Sequence, residues 1–171
     1  MKQPFETIDP RGYWLSEKLD GCRCFFVGDA FLSRNGHQFK VPQYWLEGMP
    51  NARLDGELFA GRGEFDSLVS EIQRKKSDWQ GITYQIFDLA ALRQTIEERH
   101  QHLAKLSLPP WCRIVPHRLC AGRDDLDQTE AAIVAAGGEG CVLREPGSHY
   151  RPGNFLKVKR LFPDLNRSAL D

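Results

Sequence analysis

Asn35-Gly36 stands between two short β-prone runs and reverses the chain within two residues. Both central residues of the tightest hairpin turn need positive φ, which Asn and Gly tolerate best. The runs on either side, residues 30–34 and 37–41, are therefore expected to pair as antiparallel strands. A second turn at Gly28-Asp29 joins the first of them to an earlier strand over residues 22–27. Consecutive hairpins of this kind build an antiparallel sheet.

The rest of the chain alternates strands with short helices. Residues 54–60 read as a strand that Gly61 and Gly63 terminate. Phe65, Leu68, Val69 and Ile72 recur at helical spacing, so a helix is expected over residues 65–76. Residues 82–89 are apolar and β-prone, as a buried strand requires. A second helix is expected over residues 92–106, stopped by Pro109-Pro110. Residues 112–119 read as one strand. A third helix is expected over residues 125–136, with Asp124 as N-cap and Gly137-Gly138 as its stop. Residues 140–144 and 155–160 supply the last strands. Residues 1–12, with Pro4, Pro10 and Gly12, form an extended lead-in. Hairpins interleaved with short helices indicate an α+β domain. One domain is expected over residues 1–160, with a tail over 161–171.

Length and composition narrow the function. At 171 residues the chain is long enough to bury a core. Its 23 basic and 23 acidic side chains cancel, so it lacks the basic excess of a strong nonspecific nucleic-acid binder. Any nucleic-acid contact must come from a local basic face or from a partner domain. The five cysteines follow no zinc spacing, and an odd number without a signal peptide suggests reduced thiols in the cytoplasm. No apolar run approaches the ~20 residues of a membrane helix, so no membrane partner is expected.

The segment Ser16-Glu17-Lys18-Leu19-Asp20-Gly21-Cys22-Arg23 begins a series of charged motifs. A lysine amine becomes a nucleophile only when burial or cationic neighbours lower its pKa; otherwise Lys18 is a solvated surface residue. The planar guanidinium of Arg23 suits phosphate or ribose hydroxyls. Arg34, in Ser33-Arg34-Asn35-Gly36, is expected on the neighbouring strand facing the same cleft. In Leu54-Asp55-Gly56-Glu57-Leu58 the carboxylates lie in an apolar run and need partners. Glu57 suits a ribose hydroxyl or Mg²⁺, and Asp55 a cap of the turn at Gly56. Phe87 alternates with Ile86, and its ring either packs in the core or stacks on a base. Glu139 lies between glycines and suits a second metal-binding carboxylate. Lys157 and Lys159 share one strand face, where an anion between them would relieve their repulsion.

In this order the motifs resemble those of the covalent nucleotidyltransferase superfamily of DNA ligases, RNA ligases and capping enzymes. The likeness spans about residues 13–160 and is strongest to the adenylylation domain of minimal ATP-dependent DNA ligases. It implies two antiparallel sheets flanked by helices, with the nucleotide between them. It implies that Lys18 forms lysyl-AMP and that Arg23 and Arg34 contact the nucleotide and later the nick phosphate. Glu57 takes the ribose, Phe87 stacks on adenine, and Ser16 and the Glu17 backbone lie near the adenine edge. Glu139 supports the metal, and Lys157 and Lys159 hold the α-phosphate. ATP and Mg²⁺ are the implied cofactors, and nicked double-stranded DNA is the implied partner of a monomer.

The family's barrel-shaped OB domain follows this last motif, whereas only 11 residues follow Arg160 here. The expectation is therefore an OB-less chain, inefficient in nick sealing alone, to which a separate OB-containing partner could bind. ATP is favoured over NAD because the 17 residues before Lys18 leave no room for a nicotinamide-recognising domain. Two alternatives remain open: an RNA ligase or capping-type guanylyltransferase, and a nucleotide-binding module without turnover.

Overall fold

The computed structural model describes residues 7–74, 77–91, 93–151 and 155–158. Its strands form two sheets. Strands β2 (Cys22–Phe26), β3 (Phe31–Ser33), β4 (Leu54–Phe59), β5 (Thr83–Leu89) and β6 (Cys112–Ile114) make one sheet, ordered β3-β2-β4-β5-β6. Strands β1 (Trp14–Glu17), β7 (His117–Leu119), β8 (Cys141–Arg144) and β9 (Leu156–Val158) make the other, ordered β7-β1-β8-β9. The helices are α1 (Phe65–Gln73), α2 (Ile96–Leu103) and α3 (Arg123–Ala135). All strands of the described residues belong to these two sheets, which leaves none for an OB barrel.

Alternation of side chains decides which face of each sheet is oily. In the five-stranded sheet Cys24, Phe26, Leu54, Leu58, Tyr84 and Ile86 point to one side. There they pack with Trp45, Leu68, Trp79 and Leu103. Each such fully buried large side chain contributes about 1.5–3 kcal/mol. In the four-stranded sheet Leu15, Cys141, Leu143 and Val158 share a face and pack on Leu126 of α3. The remaining faces carry the polar residues. Arg23, Glu57 and Gln85 form one row across the first sheet. Ser16, Val142 and Lys157 form a row across the second. Arg144 of β8 donates to the Phe87 carbonyl of β5 at 2.6 Å, so these polar faces look at each other across a cleft.

A β-bulge in β5 adjusts what that cleft receives. Asp55 pairs with Asp88, but Gly56 pairs with Ile86, so Phe87 is the extra residue. The insertion shifts the alternation by one. Phe87 keeps the side of Gln85, Asp88 joins the side of Asp55, and Leu89 returns opposite Leu54 to the main core.

Several sequence expectations change. The five-stranded sheet is mixed rather than antiparallel, because β5 and β6 run parallel. The expected strand over residues 112–119 is two strands in two sheets. Val115 still donates to Ile86, at 2.8 Å, but Pro116 has no N–H to continue the ladder, and the chain crosses to pair with β1. The return strand over residues 37–41 shrinks to a single bridge between Leu32 and Gln38. Helix α2 starts at Ile96 because Thr95 and Glu98 form a capping box. Helix α3 is preceded by Gly122, not Asp124. Asp125 accepts from the Ala121 N–H at 2.8 Å, and Asp124 joins it in the first turn. Lys75, Lys76, Lys159 and Arg160 lie outside the described residues.

Candidate active site

Lys18 sits where β1 leaves its sheet. Its N–H donates to the Gly140 carbonyl at 2.8 Å, which holds it beside the strand that follows α3. Its ammonium forms an ion pair with Glu139, and the two side chains are only 19% and 17% exposed. Glu139 reaches this place because α3 stops at Gly137, which adopts φ 81°. The neighbouring Glu17 side chain turns away to Arg62, with two contacts of 2.9 Å. Arg62 also donates to the Ala136 carbonyl at 3.2 Å. It thereby ties the loop after β4 to both β1 and the end of α3.

Gly21 lets β2 approach β4. A Cβ placed there would lie 2.2 Å from the Leu58 carbonyl oxygen and 2.8 Å from Glu57 Cγ. The first obstacle is backbone and cannot rotate away. Gly21→Ala is therefore expected to cost about 1–3 kcal/mol in a urea unfolding titration. An unchanged midpoint would show that the strands separate freely.

The facing wall is built on Asp55, which is buried. Arg23 donates to it twice, at 3.0 and 2.5 Å, and the Tyr150 hydroxyl donates at 2.9 Å. Asp55 is thus an anchor for Arg23 rather than a cap of a turn; Gly56 lies inside β4. A Cβ on Gly56 would lie 2.6 Å from both the Gln85 carbonyl oxygen and the Tyr84 ring. The Arg23 guanidinium lies 5.1, 5.4 and 5.6 Å from the ring centres of Phe25, Phe87 and Phe155, within cation–π range.

Glu57 lies next to Arg23 in the sheet row. Burial pushes its carboxyl up to about 7; Lys18 and Arg23 oppose the shift, while Asp55 and Glu139 reinforce it. Between its unfolded value near 4.5 and about 7 the folded state holds the extra proton. Stability must then fall as pH rises through that window. Glu57→Gln is expected to remove this slope and to make the protein more stable than the parent above pH 7. Thermal unfolding of both proteins from pH 4.5 to 8 checks it, and parallel profiles would refute it.

Phe87 is held from behind. Arg144, itself buried, lies 4.9 Å from the ring centre of Phe87 and 3.6 Å from Asp88. Asp88 is gripped in turn by Arg99 of α2, at 2.6 and 3.2 Å. Behind Phe87 and Ser16 a narrow crevice contains two imidazoles, His100 and His117.

The structure thus gathers Ser16, Lys18, Arg23, Glu57, Phe87 and Glu139 around one cleft. Lys157 lies on the cleft face of β9, but it is exposed and its amine has no partner among the described residues. Arg34 departs from expectation: it sits in the turn after β3, exposed, with no hydrogen bond or ion pair among the described residues. Position 34 follows the last paired residue of β3, so the strand does not hold it over the cleft. Lys159 lies outside the described residues. Sequence reasoning missed Arg62, His100, His117 and Tyr150 and gave Arg144 no role. Only Arg144 left a signal, as a charge ending an otherwise apolar strand.

Among the described residues no group of three or more His, Cys, Asp or Glu side chains could hold a metal alone. Glu57 and Glu139 flank Lys18 as two carboxylates. Mg²⁺ is commonly held by one or two carboxylates together with substrate phosphates and water, so this donor set suits it only alongside a nucleotide.

No family model matches the chain. The DNA ligase of Haemophilus influenzae is 30% identical over 167 residues, covering 92% of this chain and 59% of that protein. The chain therefore spans about three fifths of that relative's length. A Lig E DNA ligase, solved in a study of DNA binding with a minimal scaffold, matches with a TM-score of 0.85 at 25% identity. That match covers 94% of this chain and 67% of the other. The Chlorella virus DNA ligase-adenylate shares the fold, with a TM-score of 0.70 at 20% identity over 86% of this chain and 61% of the other. In sequence and fold together the chain is a strong match to minimal DNA ligases.

Proposed function

We propose that this chain is the catalytic domain of an ATP-dependent DNA ligase and that Lys18 is its nucleophile. The observation that carries the reading is the Lys18 ammonium, paired with Glu139 in a cleft whose far wall holds Arg23, Glu57 and Phe87. The Lys18 amine attacks the α-phosphorus of ATP, a P–N bond forms, and the P–O bond to pyrophosphate breaks. The proton leaving Nζ has a carboxylate beside it, that of Glu139. In the second step a DNA 5′-phosphate oxygen attacks the same phosphorus. The P–N bond breaks, the amine recovers a proton, and AMP is carried to the nick.

In this reading Phe87 stacks on adenine with Arg144 fixing its ring, and Ser16 and the Glu17 backbone lie near the base edge. Glu57 receives the ribose, while Arg23, Lys157 and Lys159 contact phosphates. Mg²⁺ held by Glu57 and Glu139 would neutralise phosphate charge and polarise the α-phosphorus. Nicked double-stranded DNA is the proposed substrate, with clamping supplied by an OB domain.

The test is incubation with Mg²⁺ and ATP, GTP or NAD separately, followed by intact mass. An AMP adduct from ATP supports the reading, and a GMP adduct points to a capping-type guanylyltransferase. Nucleotide binding without any adduct points to a non-catalytic module.

A further inference from the structure

Arg62 has no part in the adenylylation chemistry set out above, yet it grips both segments that carry the Lys18–Glu139 pair. It stands in the loop from β4 to α1 between Gly61 and Gly63, which adopt φ 131° and 75°. Side chains rarely tolerate such angles, so the glycines set the turn that presents Arg62. The guanidinium meets the Glu17 carboxylate side-on, Nε to Oε1 and Nη2 to Oε2, both at 2.9 Å. This fork fixes direction as well as distance. A third nitrogen, Nη1, donates to the Ala136 carbonyl at 3.2 Å.

Ala136 is the C-cap of α3, where carbonyls lack helical donors and the helix dipole is negative. The last turn of α3 has no basic residue of its own, so Arg62 supplies the cation from another part of the chain. Glu17 directly precedes Lys18, and its Oε1 lies against Gly138, where an added Cβ would come within 3.0 Å of it. Gly138 directly precedes Glu139. Its N–H closes the end of α3 on the Ile133 carbonyl at 2.8 Å, and the Lys18 N–H donates to the Gly140 carbonyl at 2.8 Å. The start of the Lys18 segment and the start of the Glu139 segment are thus pressed together, with Arg62 clamped across both.

We propose that Arg62 is a positioning residue: by bracing Glu17 against the end of α3 it fixes Lys18 relative to Glu139, and so sets the rate of lysine adenylylation rather than the affinity for nucleotide. The inference rests on the reading of Lys18 as nucleophile and deepens it. The Arg62 side chain is 37% exposed, and an ion pair so open to water adds little to global stability. Its effect is geometric, since displacing a reacting atom by about 1 Å can cost about 100-fold in rate. Arg23 and Phe87 are held on the facing wall by Asp55 and Arg144, so nucleotide contacts there do not depend on the brace.

The test follows single-turnover adduct formation by the full chain with Mg²⁺ over a range of ATP concentrations, read by intact mass. Arg62→Ala is expected to lower the maximal rate by about 10- to 100-fold. Half-saturating ATP should move by less than about twofold, and the melting temperature by no more than about 3 °C. Arg62→Lys keeps the charge without the fork and should recover part of the rate. Glu17→Gln should also slow the reaction, and the double variant should be no slower than Arg62→Ala, because both break one link. An unchanged maximal rate in Arg62→Ala, a loss that falls on half-saturation instead, or additive losses in the double variant would overturn the inference. Amide hydrogen exchange without nucleotide reads the brace itself. The Lys18 and Gly138 amides should exchange about tenfold faster in Arg62→Ala, while Tyr84 in β5 keeps its rate. Equal exchange at Lys18 and Gly138 in both proteins also overturns it. An adduct that forms equally fast in parent and Arg62→Ala would sink this inference alone. Faster exchange in Arg62→Ala with no adduct in the parent would sink the catalytic reading alone.

Discussion

Lys18→Ala is expected to abolish the covalent AMP adduct while leaving the domain folded. The variant removes the atom that would bond to phosphorus. Arg23 on the cleft wall does not replace it, because it is committed twice to Asp55 and a guanidinium does not give up its proton. The structural cost is small because the ion pair with Glu139 is partly open to solvent, and losing it costs about 1 kcal/mol. Lys18→Arg sharpens the result. It keeps a cation opposite Glu139 but offers no free amine lone pair at neutral pH. It should fold at parental stability and yield no adduct. Intact mass after incubation with ATP and Mg²⁺, alongside the melting temperature, reads both. An adduct at parental yield in Lys18→Arg would place the nucleophile elsewhere.

Arg99→Ala is expected to produce the largest loss of stability, about 3–5 kcal/mol. Arg99 is 2% exposed and saturates its surroundings. It donates to Asp88 through two nitrogens and to the carbonyls of Gln94 and Ser148 at 2.7 and 2.9 Å. Truncation leaves the buried Asp88 with Arg144 at 3.6 Å as its remaining ion-pair partner and strips both carbonyls of this donor. Alanine is the best helix former, so the loss cannot come from the intrinsic propensity of α2. A shift of this size is a large fraction of the ~5–15 kcal/mol that holds a typical domain together. Urea unfolding at constant slope checks it. Adding Asp88→Asn should recover part of the loss, because the stranded charge goes with it. A cost below 1 kcal/mol would show that solvent reaches Asp88 and that the network is not structural.

Much of the fold was legible because it depends on local pattern. Strand β4, strand β5 and helix α1 announce themselves by alternation, by a buried apolar run and by helical spacing. What escaped depends on distant partners. The Cys112 to Leu119 run has one composition but serves two sheets, and only Pro116 marks the division. The parallel pairing of β5 with β6 leaves no local trace. In the site, Lys18, Arg23, Glu57, Phe87 and Glu139 were readable because charges and rings interrupt short motifs near glycines. Asp55 was misassigned because its partners, Arg23 and Tyr150, lie 32 and 95 residues away. His100 and His117 gave no signal at all: one is on an ordinary amphipathic helix, the other follows a proline, and they meet only after folding. Arg34 was placed over the cleft on the assumption that β3 runs one residue further than it does.

The apolar packing of this domain lies on the outer sides of its two sheets, and charge fills the gap between them. The leaves are fastened mainly by polar links: Arg62 to Glu17, Tyr150 to Asp55, and Arg144 to Asp88 and to the Phe87 carbonyl. Parting them would wet groups that water solvates well and breach neither oily side. Such a seam loosens in salt far more readily than a greasy one, so a polyanion entering it competes on equal terms with the protein's own fastenings.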